Sequence, residues 1–287
     1  MKRYILSFII CVLTFTSGFA QNAKHAFRVY GFIPYAGYFQ NGQPKAASFN
    51  VMQQYLATLG ISKYNLIYES RIANFPDGNK THGVIDTPRL QGFAKLASLE
   101  PEVLVALDLE GWNRFDTVNT TRKLIDAVNT FKAINKQSPV GFYATVPQDT
   151  YGNPKDTVLC NKLNKAYANV AAVVDYFSPS LYNYRGAGRD EWKKEVLYNV
   201  AACKKYGYPQ KKIIPYITPE ITINGHTELL NYDEMLYRLN TLYELGVDGC
   251  LLWTSSGTRD ADGKRPFVNE DEGWLKAVKD FIRQHKS

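Results

Sequence analysis

Two carboxylates one residue apart close an apolar run at Val103-Leu104-Val105-Ala106-Leu107-Asp108-Leu109-Glu110, and Gly111-Trp112 follow. Such a run reads as a buried parallel strand. Side chains alternate across a strand, so Asp108 and Glu110 point the same way, their Cα atoms roughly 6.6 Å apart at about 3.3 Å per residue. At the C-terminal mouth of a barrel that pair stands at the edge of one pocket. Paired carboxyls in unlike surroundings suit acid–base work on a glycosidic bond. Glu110, followed by Trp112 and set among tyrosines, is the expected general acid, because desolvation disfavours its charged form and raises its pKa. Asp108 would add like-charge repulsion in the same direction. The same two residues could instead cap the next helix or form ion pairs at a rim.

Tyr143, Tyr182 and Trp253 also fall at the ends of strand-like runs. Sugars stack on aromatic faces, and a tyrosine hydroxyl can donate to developing charge; any one of the 20 tyrosines could equally be packing. Ser255 and Ser256 either bond a sugar hydroxyl or cap a turn. Glu69, after Tyr68, reads either as a substrate contact or as the partner of Arg71.

These residues need a scaffold that brings strand ends to one rim. Seven apolar runs, at 27–34, 64–69, 102–110, 140–147, 174–181, 212–218 and 249–254, alternate with amphipathic stretches at 48–59, 88–99, 118–135, 158–171, 190–206, 232–245 and 272–284. Strands alternating with helices imply right-handed crossovers and a parallel sheet. Near-continuous apolar strands imply that both faces are covered. The first strand-to-helix turn, Pro34-Tyr35-Ala36-Gly37-Tyr38, lacks the glycine pattern of a dinucleotide-binding fold. Polar and aromatic residues gather instead past the ends of the runs, with Tyr35, Tyr184 and Glu220 beside those named above. The expected fold is therefore an α/β, distorted TIM-like (β/α) barrel of seven parallel strands, spanning 21–287 as one catalytic domain.

Residues 1–20, with Lys2 and Arg3 ahead of an apolar stretch and Gly18-Phe19-Ala20 at its end, read as a signal peptide. The expected address is periplasmic or secreted, and no later stretch is long and apolar enough to span a membrane. Without the leader the net charge falls from +7 to +5, with no basic cluster or motif for nucleic acid. Cys160, Cys203 and Cys250 allow at most one disulfide, buried thiols being the expected state. The four scattered histidines form no ligand motif, so neither a metal nor a cofactor is expected. A monomer acting on a polysaccharide or oligosaccharide fits this profile.

Five blocks in order resemble the animal-type hyaluronidase family, of which the chain looks like a divergent, bacterial-type secreted member. They are Asp108-Leu109-Glu110-Gly111-Trp112, Gly141-Phe142-Tyr143, Pro179-Ser180-Leu181-Tyr182, Trp253-Thr254-Ser255-Ser256, and Tyr68-Glu69 with Phe75-Pro76. The resemblance implies a seven-stranded barrel and a retaining mechanism in which the substrate's 2-acetamido oxygen attacks the anomeric carbon. It makes Glu110 the acid and then the base. Asp108 and Tyr182 would orient the acetamido group, Tyr143 would contact the reacting region, and Trp253 would pack on the acetamido methyl. Tyr68, Glu69, Trp112, Ser180, Ser255 and Ser256 would line the substrate site. Leu109 replaces the family's aromatic, and the cysteine-bearing segment after strand four becomes Pro147-Gln148-Asp149-Thr150-Tyr151-Gly152-Asn153. The likeness thus points to a β-linked N-acetylhexosaminide more firmly than to hyaluronan. A muramidase- or chitinase-like barrel acting on peptidoglycan or chitin is the alternative enzyme, and a non-catalytic glycan-binding barrel the alternative class.

Overall fold

The computed structural model describes residues 25–148, 156–183, 188–223, 226–260 and 262–285. Residues 1–20, read above as a signal peptide, Tyr184 and residues 149–153 lie outside the described residues.

Eight short parallel pieces carry the apolar runs: β1 (Arg28–Phe32), β2 (Asn65–Tyr68), β3 (Val105–Asp108), β4 (Val140–Phe142), β5 (Tyr176–Phe177), β6 (Lys212–Ile213), β7 (Tyr216–Ile217) and β8 (Gly249–Trp253). They pair as β1–β8–β7, β2–β3–β4 and β5–β6. Single bridges, Tyr30 with Ser62 and Ser180 with Tyr216, run between these ladders. Between β4 and β5, the Asp175 amide donates to the Val140 carbonyl (2.8 Å) and the Ala144 amide to Ser178 (3.1 Å). The architecture is α/β, but the ladders do not close into one barrel. The run expected at 212–218 is two pieces because Pro215 has no N–H to give a ladder.

The main helices follow the strands: α1 (Phe49–Thr58), α2 (Thr87–Ala97), α3 (Thr117–Ile134), α4 (Thr157–Ala166), α5 (Ala168–Val173), α6 (Arg189–Lys205), α7 (Tyr232–Glu244) and α8 (Gly273–Gln284). Capping fixes several starts. Side chains of Ser48, Asp86, Asp116, Asp156 and Asn231 each accept an amide of the first turn, worth about 1 kcal/mol apiece. No helix among the described residues is long and apolar enough to cross a membrane. Cys160, Cys203 and Cys250 are free and buried.

Alternation along the strands divides the core in two. Val105, Leu107 and Leu109 join the larger cluster beneath the helices, with Leu124, Val128 and Phe131 of α3. Leu104 and Ala106 face the other way, into a cluster with Tyr30, Tyr64, Tyr176, Ile214, Tyr216 and Leu251. Tyr143, Tyr182 and Trp253 pack on the edge of that second cluster. Period two therefore carries Asp108 inward with Ala106 and sends Leu109 out to the helices. Gly141 lets the Tyr176 ring cross β4, since a Cβ there would lie 2.7 Å from the ring.

Two antiparallel hairpins were not foreseen. Gly37–Gln40 pairs with Gln43–Ala46, and Glu220–Ile223 pairs with His226–Leu229. The sequence carries Asn-Gly between the strands of each, a signal for a two-residue hairpin turn. Asn41 and Gly42 adopt the positive φ values, 52° and 73°, that this turn requires.

Candidate active site

Asp108 ends β3 directly opposite Tyr68 of β2, and Glu110 follows where the strand opens into a turn. Asp108, Glu110, Leu66, Tyr143, Tyr182, Tyr216 and Trp253 line a pocket of about 80 Å³. The structure thus brings five of the expected site residues together. Tyr216 and Leu66 were not anticipated. For Tyr216 the signal was present, because it shares a strand face with Ile214 in the run 212–218.

The aromatic wall is continuous. Tyr182 stacks on Trp253 with ring centroids 5.6 Å apart and planes 21° apart. Tyr143 lies 5.8 Å from Tyr182 and meets Tyr216 edge-on at 4.9 Å. Trp253 Nε1 donates to the Tyr68 hydroxyl at 3.4 Å. Ala144, next to Tyr143, holds φ at 49°, a left-handed conformation uncommon for alanine. Strain of this kind costs of order 1–3 kcal/mol and concentrates at functional sites.

Burial, the neighbouring Glu110 and Glu69 carboxylates and, last, hydrogen bonding with Glu110 push Asp108 up to about 7, against the opposing charge of Lys80. Glu110, expected from the sequence to be desolvated among aromatic rings, is exposed, and the desolvated carboxyl is Asp108. The reason is position: Asp108 is the inner member, desolvated beneath the rings and facing two other acids.

Glu69 explains part of this field. It is 8% exposed, and its carboxylate accepts the Gly111 amide at 2.9 Å. Burial lifts its pKa, and Glu110 adds to that, while the Gly111 amide and Lys80 pull it down. The Arg71 pairing considered from sequence is not formed; the Arg71 guanidinium lies over the Phe93 ring at 4.8 Å. Glu69 braces the turn that carries Glu110. A Cβ at Gly111 would stand 2.6 Å from Glu69 Oε1 and 2.8 Å from Lys80 Cβ. Gly111→Ala is therefore expected to cost about 1–3 kcal/mol and to depress turnover. Thermal denaturation and initial rates check this; wild-type values in both would remove the bracing role.

Several other expected site residues sit behind the pocket. Trp112 is 5% exposed, with its indole N–H donating to the Gly83 carbonyl at 2.9 Å and Lys123 over its ring at 5.2 Å. It wedges the loop after β2 against α3. Ser180 is fully buried, and its hydroxyl lies 3.2 Å from that of Tyr143. The Ser255 amide donates to both oxygens of Glu220 (3.1 and 3.3 Å), and its hydroxyl accepts the Gly257 amide at 3.0 Å. Ser256 is exposed, and its carbonyl accepts from Arg259. Glu220 also accepts from Tyr35 (2.8 Å) and Thr258 (2.6 Å), so it ties the loop after Trp253 to the end of β1. Among the described residues, no group of His, Cys, Asp and Glu could hold a metal ion.

No known family's sequence profile matches the chain, and no curated protein matches it by sequence. Solved structures do match in fold. Bee venom hyaluronidase superposes with a TM-score of 0.55 at 15% identity, over 90% of this chain and 96% of that one. The same enzyme in complex with a hyaluronic acid tetramer gives 0.54 at 16% identity, over 80% and 91%. Active domain 2 of a thermostable chitinase from Pyrococcus furiosus gives 0.50 at 12% identity, over 86% and 83%. At these identities the likeness is one of fold: the chain has the α/β fold of these glycoside hydrolases.

Proposed function

We propose that the protein is an endo-acting glycoside hydrolase that cleaves β-linked N-acetylhexosaminides with retention, the substrate's own acetamido oxygen serving as nucleophile. The observation that carries this reading is the pocket that gathers Asp108 and Glu110, from the end of one strand, against Tyr143, Tyr182 and Trp253. Two carboxyls that straddle a sugar stand about 5–5.5 Å apart in the retaining scheme and about 6.5–9.5 Å apart in the inverting one. A pair set two residues apart at the end of one strand occupies one side, leaving the opposite face of the anomeric carbon to a nucleophile that the substrate must bring.

The chemistry then follows from one shared proton. The acetamido N–H donates to Asp108, which displaces the proton onto Glu110. Glu110 gives it to the leaving oxygen as the acetamido oxygen bonds to the anomeric carbon, forming an oxazolinium ion. Asp108 and the Tyr182 hydroxyl stabilise the positive ring. Water, deprotonated by Glu110, adds at the anomeric carbon and reopens it. A tethered nucleophile gains an effective molarity worth up to roughly 7–11 kcal/mol. Trp253, stacked on Tyr182, forms an apolar wall for the acetamido methyl.

The fold shared with bee venom hyaluronidase, one structure of which holds a hyaluronic acid tetramer, supports a glycan as substrate. With this reading go an exported monomer, periplasmic or secreted, and removal of residues 1–20. The test is digestion of hyaluronan, chondroitin, chitin oligosaccharides and peptidoglycan with mass spectrometry of the products. Products that gain one water per bond cleaved, with an N-acetylhexosamine at each new reducing end, are expected from at least one polymer. Saturable binding without cleavage of any of them would replace the enzyme by a glycan-binding barrel.

A further inference from the structure

Among the described residues Arg238 is the largest side chain sealed completely from solvent, at 0% exposure, and the chemistry proposed above leaves it without a task. Burying a guanidinium is costly unless every bond it makes is good. Its Nη1 donates to the Glu234 carboxylate at 2.9 Å and to the Glu234 carbonyl at 3.1 Å. Its Nε donates to Asn183 Oδ1 at 3.0 Å, and its head lies over the Trp192 ring at 5.1 Å.

Asn183 and Trp192 both lead to the residues flanking Tyr182. The Asn183 amide nitrogen donates to the carbonyls of Thr218 (3.0 Å) and Glu220 (2.8 Å). Trp192 Nε1 donates to the Leu181 carbonyl at 2.9 Å, while the Leu181 amide donates to the Tyr216 carbonyl at 2.8 Å. The chain is thus gripped one residue before and one residue after Tyr182, from α6 and α7. Tyr182 itself belongs to no ladder strand, so these bonds replace the ladder as its anchor.

The residue types match the task. An amide at 183 offers two donors to two backbone carbonyls and one acceptor to a cation. A carboxylate there would face two carbonyls, and an apolar residue would take the acceptor from Arg238 Nε and the donors from both carbonyls. Arginine's rigid planar fork presents separate N–H groups to Asn183 and Glu234 in fixed directions, which a compact ammonium does not.

We propose that Arg238 and Asn183 are positioning residues that hold the Tyr182 phenol against Trp253 at the reacting centre, a role that rests on the proposed hydrolase reading. The test is a double-mutant cycle on the full chain. Arg238→Lys and Asn183→Ala, checked for folding by circular dichroism, are each expected to lower kcat about 10- to 100-fold with KM nearly unchanged. In a Tyr182→Phe background the same substitutions are expected to cost less than about threefold, because the hydroxyl they position is gone. Equal losses in both backgrounds would overturn the proposal and leave the network a matter of stability. Crystal structures of the two variants decide it even without turnover. A displaced Tyr182 ring supports the proposal; a ring still stacked 5.6 Å from Trp253, as in the native fold, overturns it. Loss of all hydrolysis in the unmodified protein would refute the hydrolase reading separately.

Discussion

Glu110→Gln is expected to lower kcat by 10²–10⁴-fold, the usual contribution of a general acid, while folding and glycan binding persist. Glutamine keeps the volume of the side chain and can still hydrogen-bond Asp108, so the pocket need not rearrange. What it lacks is an acidic proton to give to the leaving oxygen and a basic oxygen to take one from water. Both halves of the reaction should therefore suffer. Substrates with an activated leaving group, which need little protonation, should recover much of the first step and accumulate at the second. Initial rates on a natural glycan and on an aryl glycoside, with calorimetric affinity for an oligosaccharide, measure all three quantities. Wild-type rates on the natural glycan would sink the assignment of Glu110.

Glu110 and its surroundings differ in how far they could be read from the chain. Period-two alternation was enough to put Asp108 and Glu110 on one side and Leu109 on the other. It also placed Tyr143, Tyr182 and Trp253 at strand ends, where the pocket gathers them. These are local facts, set by backbone geometry over three or four residues. The helix limits were similarly open to reading, since side chains such as Asp86 and Asn231 announce where amides need an acceptor.

Properties that depend on distant parts of the chain were hidden. The lift of Asp108 comes from burial first, and also from Glu69 against Lys80, some 28 to 39 residues before it in sequence and near it only once folded. Trp112 and Ser180 belong to motifs that suggested substrate contact, but a motif does not say on which side of the backbone the nearest cavity lies. Their hydrogen bonds go to Gly83 and Tyr143 instead. The Arg238–Asn183 contact joins residues 55 apart, and an arginine in an amphipathic helix ordinarily reads as solvated.

Asp108→Asn should separate catalysis from stability in opposite directions. An aspartate near 3.8 when unfolded and about 7 when folded binds more protons in the native state across that interval. Stability then falls as pH rises from about 4 to 7 and levels off above it. The difference of roughly three pKa units corresponds to about 4 kcal/mol at pH 8. Asparagine is neutral throughout and escapes this loss. The variant should match the unmodified protein near pH 4 and exceed it at pH 8 by of order 10 °C in Tm. A gap between the two that does not change with pH would contradict the burial of a proton at this pair. Turnover should move the other way. Without a carboxylate to accept the acetamido N–H, the nucleophile is poorly aimed, and kcat should fall most for substrates that carry the acetamido group. A loss of equal size on glycosides without it would argue against substrate assistance. In the unmodified protein, kcat should decline above about pH 7, where the Asp108–Glu110 pair gives up the proton on which the first step depends.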